Sequence, residues 1–378
     1  MRLTRPSIVV FASAVTLLGG LTVVGGGAAQ ASSVAMVKDL QLGTASSNPS
    51  DFETVGASAV VFGAAGKVWK SNGTSSGTTS LRAVANAKSF VRVGTRTLFE
   101  GNGNELWRTV GTAAGTQKIA TPDEELGPLS APAGGKSYFF SWYWHDCCGG
   151  TDEACETALH ATDGVTDTNV GYGDYECYDG GYPPEPLGAL AYFGISGLYA
   201  TDGTFAGTTT VKEISPGSSA TQNLTTVNGV LYFAANDGAH GVELWRSDGT
   251  EAGTKLVRDI AAGTASSNPK GFVALGSSVL FQAKTGTQGA ELWKTDGTAA
   301  GTVLVKDIRA GNGSSNPYGL TTVNATTTLF AATTSTDGTE LWKTNGTTAG
   351  TVLVKNIRAG STGANLTLFN KVGAGAVF

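Results

Sequence analysis

The chain has 378 residues, 54 of them glycine, with 15% charged residues and a formal net charge of −5 at pH 7. Glycine at twice its usual share of about 7% suits many tight turns and argues against a helical protein. An acidic excess without a basic cluster excludes nucleic acid as the natural partner.

Arg2 and Arg5 precede an apolar run from Ile8 to Val24, and Ala29-Gln30-Ala31 offers a small-x-small cleavage site. Residues 1–31 therefore read as a secretory signal peptide. A membrane anchor fits less well, because Gly19, Gly20 and Gly25 to Gly27 break the run. Removal would leave 23 basic against 30 acidic residues, and no later apolar segment is long enough to span a bilayer. The expectation is a secreted, extracellular protein.

Residues 32–378 read as one domain, which opens on Met36-Val37-Lys38-Asp39-Leu40, a fourth strand without its first three. The linker that follows, residues 42–49, recurs at 262–269 and more loosely at 310–317. Thereafter one pattern dominates. Residues 105–116 read ELWRTVGTAAGT, 243–254 ELWRSDGTEAGT, 291–302 ELWKTDGTAAGT and 340–351 ELWKTNGTTAGT, and worn copies begin at Val68, Leu159 and Leu198. The alternation Leu-Trp-Lys/Arg-Ser/Thr predicts a short strand, and Asp-Gly followed by Ala-Gly supplies a reversal. The Asp carboxylate can accept from backbone N–H groups one to three residues on and so fix the turn. A β-branched run ending in Val-Lys-Asp-Ile or a relative follows, at 211–214, 257–260, 305–308 and 354–357. Two more strands precede each motif, clearest in residues 224–235, where Asn228-Gly229 is a hairpin signal. Each unit is thus a four-stranded antiparallel meander.

The Trp, His or Tyr of successive motifs falls at 69, 107, 160, 199, 245, 293 and 342, a spacing of 38, 53, 39, 46, 48 and 49. Four strands on such a period predict an all-β fold, a β-propeller of four-stranded antiparallel blades. Seven blades are expected; eight are the alternative, if Val37 to Leu40 and residues 366–378 share a last blade. Trp245, Trp293 and Trp342 are expected to pack between neighbouring blades. Glu105, Glu243, Glu291 and Glu340 are expected to pair across strands with Lys or Arg. Ca²⁺ ligation is their alternative role, although no full D-x-D-x-D-G loop is present.

The ELWxxDGT spacing, the Gly-Thr after it and the trailing Val-Lys-Asp-Ile resemble the ELWxxDGT-repeat proteins, secreted bacterial propeller-type proteins also described as hyalin-like. The resemblance is strong over residues 224–357 and weaker over 52–214. It implies fold and secretion and no reaction. The Asp-Gly-Thr turn is also similar to the Asp-box turn of sialidase propellers, a structural element remote from their catalytic centre.

The largest departure from the repeat is the insertion 141–186, which carries ten Asp and Glu, no Lys or Arg, and all four cysteines of the chain. Cys147, Cys148, Cys155 and Cys177 in an exported protein are expected to form two disulfides, each member of the vicinal pair bonding one of the other two. A Cys₄ zinc site is the alternative, without any C-x2-C knuckle to favour it. Pro183, Pro184 and Pro186 are expected to spoil the first strand of the fourth unit. Trp142, Tyr143 and Trp144, with Asp146, Asp152 and Glu153, are the candidate ligand-binding residues. Adjacent aromatics stack on sugar faces, while acids take hydroxyls or a bridging Ca²⁺.

No nucleophile motif, H-E-x-x-H, phosphate loop or dinucleotide fingerprint is present, and His160 merely replaces the motif Trp. The expectation is a monomeric, non-enzymatic binding or interaction propeller for an extracellular glycan or protein, with no cofactor unless Ca²⁺. A propeller-type glycoside hydrolase or polysaccharide lyase with its site over the central channel is the alternative.

Overall fold

The computed structural model describes residues 38–40, 47, 49–121, 125–145, 154–171, 183–195, 197–215, 221–364, 366, 370–372 and 375–377. These residues form strands and turns with no helix, and the strands make seven four-stranded antiparallel sheets and one hairpin. The chain divides into two compact units, Met1–Pro183 and Pro184–Phe378.

The first unit holds three sheets. Ser50–Val55, Ala59–Ala64, Lys67–Ser71 and Thr79–Ala83 form the first; Lys88–Val93, Arg96–Gly101, Glu105–Thr109 and Gln117–Ala120 the second. Glu125–Leu126, Ser137–His145, Ala154–Thr162 and Asp167–Asn169 form the third. The second unit holds four: Glu185–Leu187 to Thr209–Glu213, Gln222–Val227 to Lys255–Arg258, Lys270–Leu275 to Val303–Lys306, and Tyr318–Asn324 to Val352–Lys355. The hairpin of Asn370–Val372 and Gly375–Val377 follows. Every sheet lies in simple sequence order, each strand beside its predecessor, which is the blade meander of a β-propeller.

Within the second unit the motif Trp is packing material between sheets. Trp293 shares one apolar cluster with Val227, Leu244, Val257 and Ile260 of the sheet before it, and Trp342 another with Leu280, Leu292 and Val305. Each Trp is at least nine-tenths buried, so the interface forms from side chains that one sheet alone would leave wet. Leu40 packs beside Trp69 as Ile260 packs beside Trp293. Lys38 Nζ donates to Thr78 O at 2.7 Å, as Lys306 Nζ donates to Thr351 O at 2.8 Å. The 38–40 segment is therefore placed against the first sheet as a preceding fourth strand would be.

One expectation is met and one corrected. The first strand of the fourth sheet is cut to three residues, Glu185–Leu187, with Pro186 opposite Ala191. It is an edge strand, where a missing N–H is tolerated, and Pro186 O accepts from Thr226 Oγ1 at 2.6 Å. The recurring glutamates do not share one ion-pair role. Glu105 alone follows the expectation, pairing with Lys118 at 3.1 Å across the strands. Glu243, Glu291 and Glu340 are wholly buried and accept from the linker backbone instead.

Candidate functional site

The repeated polar residues are consumed by the scaffold. In the fifth sheet Asp248 Oδ1 accepts from Thr250 N at 3.0 Å and Thr250 Oγ1 at 2.7 Å. Thr250 Oγ1 in turn accepts from Gly253 N at 3.0 Å, and Thr254 Oγ1 donates to Thr250 O at 2.6 Å. The set recurs around Asn72, Asp202, Asp296 and Asn345. The Thr250 side chain, then its amide, holds the Asp248 carboxyl below the usual aspartate range.

The buried glutamates are clasps on the linkers. Glu243 Oε2 accepts from Ile260 N at 2.8 Å and Ser267 Oγ at 2.6 Å, while Oε1 accepts from Ser267 N at 2.9 Å. Glu291 repeats this with Ile308 N, Ser315 N and Ser315 Oγ. Burial pushes both carboxyls above the usual range, and the linker donors only partly offset it. Among the described residues, no three of His, Cys, Asp and Glu converge as metal ligands would.

The third sheet departs from this plan. His160 stands where the other sheets have Trp or Tyr, and it keeps their stack, 4.7 Å and 10° from Phe139. Its Nε2 lies 2.9 Å from Ser141 Oγ and its Nδ1 3.0 Å from Asp167 Oδ2. Ser141 occupies the position, two after the motif Phe, that holds Ala64, Gly101, Ala235, Ala283 and Ala332 in five other sheets and Ile195 in the fourth. A Trp-over-Ala contact has thus become a Ser-His-Asp hydrogen-bond chain. With Nδ1–H donated to the carboxylate, Nε2 accepts the Ser141 hydroxyl, the tautomer and orientation of a general base beside a nucleophile. Ser141 is fully buried and His160 only 8% exposed, so no substrate reaches the hydroxyl in this arrangement. The chain of three ties the two central strands to each other through Ser141 and His160, and to the fourth strand through Asp167.

Those central strands are nine residues each and outgrow their flanks. Glu125–Leu126 pairs only with Ser141 and Trp142, and Asp167–Asn169 only with His160 to Thr162. Beyond them the two-stranded ladder continues through Tyr143 opposite Glu156, Trp144 opposite Cys155 and His145 opposite Ala154. The structure therefore sets Trp142, Tyr143, Trp144 and Cys155 on one hairpin. Asp146, Asp152, Glu153, Cys147, Cys148 and Cys177 lie outside the described residues. Sequence reading missed Ser141, His160 and Asp167; the signal available was that His160 and Ser141 break the repeat consensus together.

No family model matches the chain, and no curated protein matches it. Among solved structures it is similar to the computationally designed Ika8 protein, at 13% identity over 86% of this chain and 91% of that one, TM-score 0.49. It is also similar to BamB from Moraxella catarrhalis, at 14% identity over 83% and 85% of the two chains, TM-score 0.45. A puromycin hydrolase aligns at 14% identity over 82% of this chain and 54% of that one, TM-score 0.41. The chain spans about half the length of the puromycin-hydrolysing and prolyl peptidases it matches. All these scores are low, so the blade assignment stands on the sheets, their topology and the repeat.

Proposed function

We propose that this is a secreted or cell-surface binding propeller of the ELWxxDGT-repeat type, with seven blades, acting as a monomer on an extracellular glycan or protein. The observation that carries the reading is the extended hairpin of the third sheet, where the strand runs on from Trp142, the last residue paired with the flanking strand, through Tyr143 and Trp144. Trp142 and Trp144 are two residues apart in sequence, and aromatic side chains are suited to stacking on sugar rings. Asp146, Asp152 and Glu153 follow in sequence and would take hydroxyls or a bridging Ca²⁺. The test is the double variant Trp142→Ala/Trp144→Ala, screened on a glycan and cell-surface-protein array beside the parent. Binding lost with the melting temperature kept supports the reading, and binding retained sinks it.

Two disulfides among Cys147, Cys148, Cys155 and Cys177 belong to the same proposal, since an irregular loop without a core gains about 2–4 kcal/mol from each bridge. Thiol titration of the denatured, unreduced protein should find no free thiol. Four reactive thiols or stoichiometric zinc would overturn the pairing.

A further inference from the structure

Three tryptophans of the second unit bury an indole N–H that no side chain or carbonyl accepts. Trp245, Trp293 and Trp342 are each more than nine-tenths buried, and Nε1 of each has no hydrogen-bond partner among the described residues. Two sheets of the first unit carry the same ring and show where that N–H aims. Trp69 Nε1 donates to Ala64 O at 3.0 Å, and Trp107 Nε1 to Glu105 Oε2 at 2.9 Å. Ala64 stands opposite Lys67, and Gly101 opposite Glu105, so both acceptors lie on the same rung of their sheets. In the fifth, sixth and seventh sheets that rung is Ala235 with Glu243, Ala283 with Glu291 and Ala332 with Glu340. There the glutamate is turned to the linker instead. Glu243 accepts from Ile260, Ala261 and Ser267, Glu291 from Ile308 and Ser315, and Glu340 from Ile357 and Arg358.

The same rung also leaves an acceptor over. Arg258, Lys306 and Lys355 stand opposite the leucine that follows the glutamate, which brings the next residue, Asp259, Asp307 or Asn356, alongside the glutamate itself. One atom of each is engaged. Asp259 Oδ2 accepts from Gly263 N at 3.0 Å, Asp307 Oδ2 from Gly311 N at 3.3 Å, and Asn356 Nδ2 donates to Asp337 Oδ1 at 3.0 Å. Oδ1 of all three is buried with no partner among the described residues. In the first and second sheets this position holds Ala83 and Thr121, and there the protein itself satisfies the indole. Unpaired donor and unpaired acceptor thus occur together in three repeats, and neither occurs in the two others.

The two atoms state the chemistry of what joins them. An indole N–H repels a cation, and a carboxylate or amide oxygen repels an anion, whereas a small molecule that both accepts and donates satisfies the two at once. Buried polar groups without a protein partner are ordinarily met by internal water. We propose that the fifth, sixth and seventh sheets each bind one internal water, which accepts from the indole Nε1–H and donates to Oδ1 of Asp259, Asp307 or Asn356. Each water ties the third strand to the end of the fourth, where the linker clasped by the glutamate leaves the sheet.

The experiment uses the full chain, uniformly labelled for nuclear magnetic resonance, with its indole resonances assigned through bonds. Water-selective Overhauser spectra are recorded in laboratory and rotating frames, because the relative sign separates dipolar contact from proton exchange. Dipolar water cross-peaks are expected at the indole N–H of Trp245, Trp293 and Trp342 and not at those of Trp69 and Trp107. Asp307→Ala should abolish the Trp293 cross-peak and spare those of Trp245 and Trp342. Asp307→Asn, which installs the residue found at position 356, should keep all three. No water contact at the three indoles of the parent overturns the proposal, and so does equal contact at all five. A Trp293 cross-peak unchanged in Asp307→Ala overturns the bridge to Oδ1. The comparison of five indoles within the parent decides the matter even where Asp307→Ala does not fold.

Discussion

The carboxylate of Asp248 receives two donors from Thr250, while Gly253 lies so close that an added Cβ would collide with its Oδ1 and Cγ. The contact is the same at Gly301 against Asp296 and at Gly350 against Asn345, so the second glycine of the motif is there for space. Asn345 and Asn72 accept the same two donors as Asp248, so charge at this position is dispensable and the acceptor oxygen is not. Asp248→Asn should therefore change stability by less than about 0.5 kcal/mol, and Gly253→Ala should cost about 1–3 kcal/mol. Urea unfolding of the two variants checks this; equal losses would mean that the turn relaxes around a methyl group.

At the scale of the strand pair, the Ser141-His160-Asp167 chain replaces the packing of a large ring with three polar groups that need one another. Ser141→Ala should cost about 1–3 kcal/mol by leaving His160 Nε2 buried and unpaired. Adding His160→Trp rebuilds the pairing seen in Ala235 and Trp245, and the double variant should recover much of that loss as a coupling term. If Ser141→Ala alone is neutral by denaturant unfolding, the hydroxyl is not holding the histidine. The contrast shows what a sequence exposes. The meander was legible because strand alternation and Asp-Gly turn chemistry act over a few residues. The role of Glu243 was not, since its donors Ile260 and Ser267 lie 17 and 24 residues ahead, and a glutamate beside strand lysines suggested an ion pair. The link from Ser141 to His160 spans 19 residues across a hairpin and emerges from sequence only when units are compared position by position. The aromatic run Trp142 to Trp144 was legible as an anomaly, and the extension of Tyr143 and Trp144 past the flanking strands needed the ladder itself.

Across the whole molecule, two sets of carboxyls pull the pH dependence in opposite directions. Asp163, Asp237, Asp248 and Asp296 titrate below their ordinary value of 3.8, so their stabilisation is present above that value and lost as pH falls through the depressed ones. Asp248 and Asp296 lie near the surface, where solvent and salt screen the effect. Glu243 and Glu291 are raised above their ordinary value of 4.5 by burial. The folded state therefore holds more protons than the unfolded one above that value. Their contribution is full below 4.5 and is lost as pH rises through the folded-state value. The double variant Glu243→Gln/Glu291→Gln carries a fixed penalty at every pH, because an amide nitrogen now faces backbone donors, and it has no proton to lose. The stability gap between parent and variant should therefore narrow as pH rises from 4.5 toward neutrality, measured by urea midpoints at constant ionic strength. A gap that widens over that range would mean that the linker amides stabilise the ionised glutamates more than burial penalises them.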